Sequence, residues 1–193
     1  MKKILLSMTL IGALAGNAYA EDNGFFLGIS AGGAAAINAD NGGGATGSTA
    51  LSAGIKLGYQ AFFSEINGIR FYLSGVGAYG FYPSATGNNI GNDLYILADI
   101  NADYLVNWVS EEQFSSGLFM GFFTGALVGR AFSNSTGGNS TGITAGLNLG
   151  IRTNINDHHQ VEFGVKGGFS FYIGNARTTG AVIAALTSYI YKF

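Results

Sequence analysis

Glycines recur every fourth residue in one segment of this chain after another, and this spacing constrains its fold more than any other feature. A spacing of four is a multiple of two, so in a β-strand all the glycines of one segment point to the same face. The same spacing also places small residues on one face of a packed membrane helix. The sets are Gly24, Gly28 and Gly32; Gly54 and Gly58; Gly117, Gly121, Gly125 and Gly129; Gly142, Gly146 and Gly150; and Gly164 and Gly168.

The helical interpretation fails on length and polarity. A membrane-spanning helix needs about 20 mostly apolar residues, whereas the longest candidate, 114–129, has only 16 and the second, 181–191, is shorter. The other glycine-spaced segments are too polar for membrane helices. With a period of two they separate into an apolar face and a small or polar face, as a two-faced strand does; in one segment Leu51, Ala53 and Ile55 alternate with Ser52, Gly54 and Lys56.

Turn signals divide the chain into eight predicted strands: 24–36, 50–61, 69–82, 94–106, 117–130, 142–154, 160–172 and 181–193. Four connections, 37–49, 83–93, 131–141 and 173–180, are rich in Gly, Asn, Ser and Thr. The connections at 62–68, 107–116 and 155–159 carry charged or aromatic residues instead. The sequence therefore predicts an all-β fold, a single eight-stranded antiparallel up-and-down transmembrane β-barrel with no second domain.

Charged residues indicate which face of the barrel is the lumen. They share a face with the glycines in almost every predicted strand. A water-soluble barrel would then have to hold the Leu, Ile and Phe of eight strands inside, more volume than its interior offers. Directing the apolar face to lipid removes this problem, and closure satisfies every backbone group. The predicted lumen charges are Lys56, Arg70, Asp99, Asp103, Arg152, Glu162, Lys166 and Lys192.

Three expectations follow for the lumen. A turn centred on Asp157 would place Arg152 directly opposite Glu162, and we predict an ion pair between them. The inward glycines are expected to make room for Arg and Lys side chains that cross to carboxylates on the other wall, because isolated buried charges are costly. The sequence thus predicts a lumen plugged by polar and charged side chains; the alternative is a narrow channel for small solutes or ions.

Aromatic residues near the strand ends are expected to form two interfacial girdles. The predicted members are Tyr59, Phe62, Tyr104, Trp108, Tyr189, Tyr191 and Phe193 at the end with the charged connections, and Tyr79, Phe81, Tyr82, Phe132, Phe171 and Tyr172 at the other.

The first 20 residues have the parts of a secretory signal in order. Lys2 and Lys3 precede an apolar stretch, 4–15, and the tripeptide Ala18-Tyr19-Ala20 forms a small-x-small cleavage site. We predict that residues 1–20 are a cleaved signal peptide and that residues 21–193 form the barrel domain.

The chain ends in Tyr189, Tyr191 and Phe193, which share one strand face. This pattern resembles the C-terminal signature of bacterial outer-membrane barrels that the barrel assembly machinery recognises. The whole chain resembles small eight-stranded barrels of the OmpA, OmpX and OmpW type, and its ends, 21–26 and 189–193, are similar to the outer-membrane protein families of Helicobacter. Unlike OmpA, it shows no peptidoglycan-binding domain after the barrel.

The resemblance implies a place in the Gram-negative outer membrane, in contact with lipid and lipopolysaccharide, and the barrel assembly machinery as a partner during biogenesis. These families include adhesins and porins, so fold alone selects no function. The implied role is structural or surface-interacting, adhesin-like, through extracellular loops whose ligand is unknown.

Several other classes of function lack support in the sequence. The chain has no cysteine, which excludes disulfides, thiol nucleophiles and Cys-ligated metals, and its net charge of −2 gives no footprint for nucleic acid. The histidines His158 and His159 fall in a predicted periplasmic turn, away from outer-leaflet lipid. We therefore predict no enzyme, cofactor or metal; an outer-membrane lipid-modifying enzyme is a third alternative.

Overall fold

In the computed structural model, the chain closes on itself as a barrel. The structure describes residues 21, 23–40, 45–83, 90–111, 114–131, 139–173 and 177–193. Within them lie eight antiparallel strands, paired in chain order and closed by β1 against β8, which confirms the predicted eight-stranded antiparallel barrel. The strands are β1 (Gly24–Asp40), β2 (Ala45–Phe62), β3 (Asn67–Pro83), β4 (Ile90–Glu111), β5 (Phe114–Ala131), β6 (Asn139–Ile155), β7 (His159–Ile173) and β8 (Arg177–Lys192).

The described residues include no helix with the length and hydropathy needed to span a membrane. The predicted signal peptide, residues 1–20, lies outside the described residues.

The strands run further than predicted at the end where the polar connections lie, here called the loop end. β1 and β2, for example, remain paired as far as Ala39 and Ala45, whereas the sequence places a loop at 37–49. Gly, Ser, Thr and Asn there still use their backbone groups in the ladder. Their polar composition indicates contact with solvent, but it does not show where the pairing of the two strands ends.

At the opposite end, here called the turn end, the predicted connection 107–116 is wrong. β4 and β5 continue to pair up to Glu111 and Phe114, and the register shifts at a bulge between Asn107 and Val109. The bulge interrupts the alternation of faces that defines a strand in the sequence. The turn at 156–158 falls as predicted, and Asn156 adopts a φ of 65° there, a conformation that Asn tolerates better than most residues.

The barrel has an apolar outer wall and a polar interior. Leu51 and Phe122 on the outer face are 73% and 70% exposed, whereas Arg70 and Arg152 in the lumen are each 1% exposed. This distribution inverts that of a water-soluble protein, in which charged side chains are almost never fully buried.

Two residues assigned to the aromatic girdles belong to the lumen instead. Phe62 is buried against Leu105 and Phe119, and Tyr172 packs against the inner cluster formed by Leu97, Phe123 and Leu127. Both lie near a strand end, as predicted. Their positions in the alternation of β2 and β7, however, are those of the inward-facing residues. Phe132 and the side chains of Phe81 and Tyr82 lie outside the described part of the chain.

The strands are staggered around the barrel. Following directly opposite partners from Leu27 through each strand in turn leads back to Ile37, ten residues further along β1. Such an offset requires the strands to tilt, typically by 35–45° in closed barrels. Residues that meet across the lumen therefore come from different distances along their strands.

Candidate functional site in the barrel lumen

Alternation along the strands places all eight of the predicted lumen charges inside the barrel, where they form three connected clusters. The central cluster contains Lys56, Arg70, Asp103 and Glu162; the outer cluster, nearer the loop end, contains Lys166 and Asp99; the turn-end cluster contains Arg152, Lys192 and Glu21. Glu21 is the member that the sequence did not predict.

Arg70 organises the central cluster. One guanidinium nitrogen lies 2.7 Å from Asp103 on the neighbouring strand, and the other pairs with Glu162 from the far wall. Lys56 approaches the second oxygen of Glu162 at 3.0 Å, and the Gln160 amide donates to Glu162 at 2.6 Å. Both carboxylates are thus neutralised and hydrogen-bonded, the condition under which buried charges are tolerated.

The outer cluster is joined to the central one by amide side chains. Lys166 Nζ lies 2.7 Å from Asp99, which also accepts hydrogen bonds from Ser74 and Asn101. The Asn148 amide donates both to Asn101 at 2.9 Å and to Asp103 at 3.2 Å. The outer and central clusters therefore form one connected polar network.

The turn-end cluster is centred on Glu21, which precedes β1. Its carboxylate lies 2.6 Å from Arg152 and 3.6 Å from Lys192. Gln60 and Ser115 donate to it, each at 3.0 Å. One signal pointed to such a residue: the predicted lumen set held five cations and only three carboxylates.

The predicted Arg152–Glu162 ion pair is wrong, although the register behind it is confirmed. The two residues are directly opposite on β6 and β7. Arg152 nevertheless pairs with Glu21, and Glu162 is held by Lys56 and Arg70. Adjacent backbone positions do not decide the pairing, because long side chains reach across a narrow lumen to whichever opposite charges converge there.

Aromatic rings pack between the charges, a feature that the sequence analysis missed. The Arg70 guanidinium lies 5.0 Å from the ring centres of Tyr72 and Phe119, and Arg152 lies 5.0 Å from that of Phe62. Lys166 lies 4.4 Å from that of Phe123. Cation–π contacts of this kind strengthen when water is excluded, so the rings both fill the lumen and stabilise its cations.

The rings of Phe119 and Phe123 also help to explain why four inward positions are occupied by glycine. An added Cβ would lie 2.5 Å from the tip of the Phe119 ring at Gly150 and 2.6 Å from it at Gly164. Phe123 has the same relation to Gly146 and Gly168, at 2.7 and 2.8 Å. The expectation that glycines make room for Arg and Lys is therefore corrected at these four positions. They accommodate phenylalanine and, at Gly146, Gly150 and Gly168, also the backbone of the neighbouring strand, which an added Cβ would approach at least as closely.

We expect Gly164→Ala to lower the free energy of unfolding by about 1–3 kcal/mol, because its methyl group overpacks the Phe119 ring. The measurement is urea unfolding in lipid vesicles. Gly167→Ala is the matched control on the same strand, since its added Cβ meets nothing closer than 3.9 Å. Equal losses for the two variants would contradict this account of the inward glycines.

Glu21 makes the fold sensitive to acid. Burial opposes the charged carboxylate, but the charges of Arg152 and Lys192 outweigh it and hold the pKa at about 2, below the ordinary 4.5. Because the folded pKa is depressed, ionised Glu21 stabilises the fold above pH 4.5, and this contribution disappears as the pH falls towards about 2.

We therefore expect the stability difference between the wild type and Glu21→Gln to be about 3 kcal/mol near neutral pH and to close as the pH falls towards 2. Urea unfolding of both proteins across this range measures it. A difference that stays constant with pH would show that the Glu21 charge does not contribute.

The C-terminal aromatic residues lie at the turn end on the outer face. Tyr189, Tyr191 and Phe193 are all exposed there. His158 donates from Nδ1 to the Lys192 carbonyl at 3.0 Å, and His159 Nδ1 lies 2.6 Å from the Tyr189 hydroxyl. In the described part of the chain, no three His, Cys, Asp or Glu side chains are grouped so that they could hold a metal ion.

Comparisons with known proteins agree with this architecture. A model of the Helicobacter outer membrane protein family matches residues 54–193. No curated protein sequence matches the chain significantly.

Among solved structures, Neisserial surface protein A has a similar fold, with a TM-score of 0.58 and 13% identity over 88% of this chain and 97% of that one. Weaker likenesses include OprG from Pseudomonas aeruginosa, with a TM-score of 0.49 and 12% identity over 91% and 99% of the two chains. Ail from Yersinia pestis has a TM-score of 0.44 and 15% identity over 87% and 98%.

Proposed function

The chain belongs to the Helicobacter outer membrane protein family, and from this premise we propose that it is an integral outer-membrane barrel with a closed lumen that acts at the cell surface through its loop end. Its role is structural or adhesin-like. In this proposal the barrel anchors and presents the four connections at its loop end.

The filled lumen is the observation that carries this proposal. Arg70, Arg152 and Glu162 are each 1% exposed, and aromatic rings occupy the space around them. Two cavities in the lumen are each only about 40 Å³. At about 10–15 Å³ per water, each holds roughly three waters and no solute stream.

The length of the barrel supports a role at the surface. β4 has 22 residues, which span about 70 Å when extended. A tilt of 35–45° leaves a height of about 50 Å, twice the apolar band of about 25 Å in outer-membrane barrels. We propose that the loop end is the one that projects beyond the membrane, because the segments 41–44, 84–89, 132–138 and 174–176 are rich in hydroxyl, amide and glycine groups suited to hydrogen bonding.

Single-channel recording of the purified protein in planar bilayers tests the closed lumen. We expect no steady conductance steps. Large, steady steps from the monomer would overturn the proposal in favour of a narrow channel for small solutes or ions.

Proteolysis of intact cells tests the orientation. We expect cleavage only within 41–44, 84–89, 132–138 and 174–176 and protection of the 63–66 turn, which would be periplasmic. Cleavage at 63–66 on intact cells would contradict the proposed topology.

A further inference from the structure

We propose that Glu21 and Asn23, which precede β1, form a latch that closes the turn-end mouth of the lumen. The proposal rests on the closed lumen of the proposed function and adds to it the part of the chain that seals one end. Glu21 belongs to no strand, yet its residue is only 5% exposed.

The contacts of Glu21 reach almost around the wall of the barrel. Its carboxylate accepts hydrogen bonds or ion pairs from five strands: β2 through Gln60, β4 through Asn107, β5 through Ser115, β6 through Arg152 and β8 through Lys192. A single side chain that contacts five of the eight strands holds the turn-end mouth closed, which contacts between two neighbouring strands cannot do.

Asn23 fastens the same segment at the rim. Its side-chain oxygen accepts a hydrogen bond from the Phe62 backbone amide at 2.5 Å, at the last residue of β2. The Phe62 side chain turns inward and covers the Arg152 guanidinium, so the two latch residues and the ring together occupy the entrance.

Electrostatics makes the latch specific. Without the Glu21 carboxylate, Arg152 and Lys192 would be two uncompensated cations at the mouth. Their repulsion would decrease if the two side chains moved apart and became hydrated. Opening the mouth would admit water to the central cluster. Two members of that cluster, Lys56 and Glu162, line the 40 Å³ cavity that Ser188 also lines.

The absence of cysteine from the chain allows a direct test. Ser188→Cys places one thiol in this cavity, deeper than Glu21, at a residue that is 3% exposed. The rate at which a small, water-soluble methanethiosulfonate labels that thiol in the folded, vesicle-reconstituted protein measures access to the lumen. Glu65→Cys, on the exposed 63–66 turn, provides the rate for an accessible thiol.

We expect Glu21→Gln to raise the labelling rate of Ser188→Cys at least about tenfold, because a buried ion pair loses one partner while the shape of the side chain is kept. Glu65→Gln removes the same charge from the outside of the turn end and should leave the rate unchanged. An unchanged rate in a folded Glu21→Gln protein would overturn the latch.

Two further results keep the test decisive. If Glu21→Gln does not fold, Asn23→Ala retains the buried carboxylate and should raise the rate about fivefold, the loss of one hydrogen bond; no rise would overturn the latch. If Ser188→Cys alone reacts as fast as Glu65→Cys, the lumen is open, and the proposed function fails together with the latch.

Discussion

Replacing Arg70 with methionine is expected to lower the free energy of unfolding by about 5 kcal/mol, the largest loss from any single substitution in the lumen. The variant leaves Asp103 without its ion-pair partner and removes the guanidinium contact from Glu162, which keeps only Lys56 as a cationic partner. Methionine keeps the volume but donates no hydrogen bond. Urea unfolding in lipid vesicles, followed by the fluorescence of Trp108, the single tryptophan, measures the loss.

Two further variants separate the effect of charge from that of packing. Lys56→Met should cost only about 2 kcal/mol, because Glu162 keeps Arg70 and Gln160. Adding Asp103→Asn to Arg70→Met should recover part of the loss, since it removes the carboxylate that has lost its ion-pair partner. A loss below about 1 kcal/mol for Arg70→Met would mean that water replaces the guanidinium, as it does at exposed ion pairs.

Phe119→Ala is expected to cost about 3–5 kcal/mol. Phe119 is buried against Phe62 and Leu105, lies 5.0 Å from the Arg70 guanidinium, and fills the space above Gly150 and Gly164. Removing its ring creates a cavity that the staggered wall cannot collapse to fill. The same urea titration measures it.

Phe122→Ala is the matched control, three residues away on the outer face of β5, where Phe122 is 70% exposed. Lipid takes the place of that ring, so only a transfer cost of about 1.5–3 kcal/mol remains. The gap between the two variants isolates the cavity contribution. Equal losses would show that Phe119 does not support the network from inside.

The two faces of each strand and the register of the hairpins followed from the sequence, because both depend on a period of two. The parity that separates Leu51 from Ser52 puts Lys56 in the lumen, and a turn centred on Asp157 sets Arg152 opposite Glu162. These are local relations between neighbours in the chain or in the sheet, and backbone geometry determines them directly.

The partners of the lumen charges could not be predicted in the same way. Which carboxylate reaches Arg70 depends on the tilt and closure of all eight strands, and on Glu21, which belongs to none of them. The inward rings were missed because their hydrophobicity suggested the outer wall, whereas Phe62 and Phe119 pack against guanidinium groups. Only the excess of cations over carboxylates among the predicted lumen residues indicated that a further carboxylate was needed.

The ten-residue stagger limits where this sequence can change length. One residue inserted within a strand would exchange the inward and outward faces of the remainder of that strand, and it would also disturb the offset by which β8 meets β1. Residues added between β1 and β2, or between β5 and β6, alter neither. Insertions and deletions can therefore accumulate at the loop end while the lumen is preserved. The loop end is free to change in length, whereas the strands of the barrel are not.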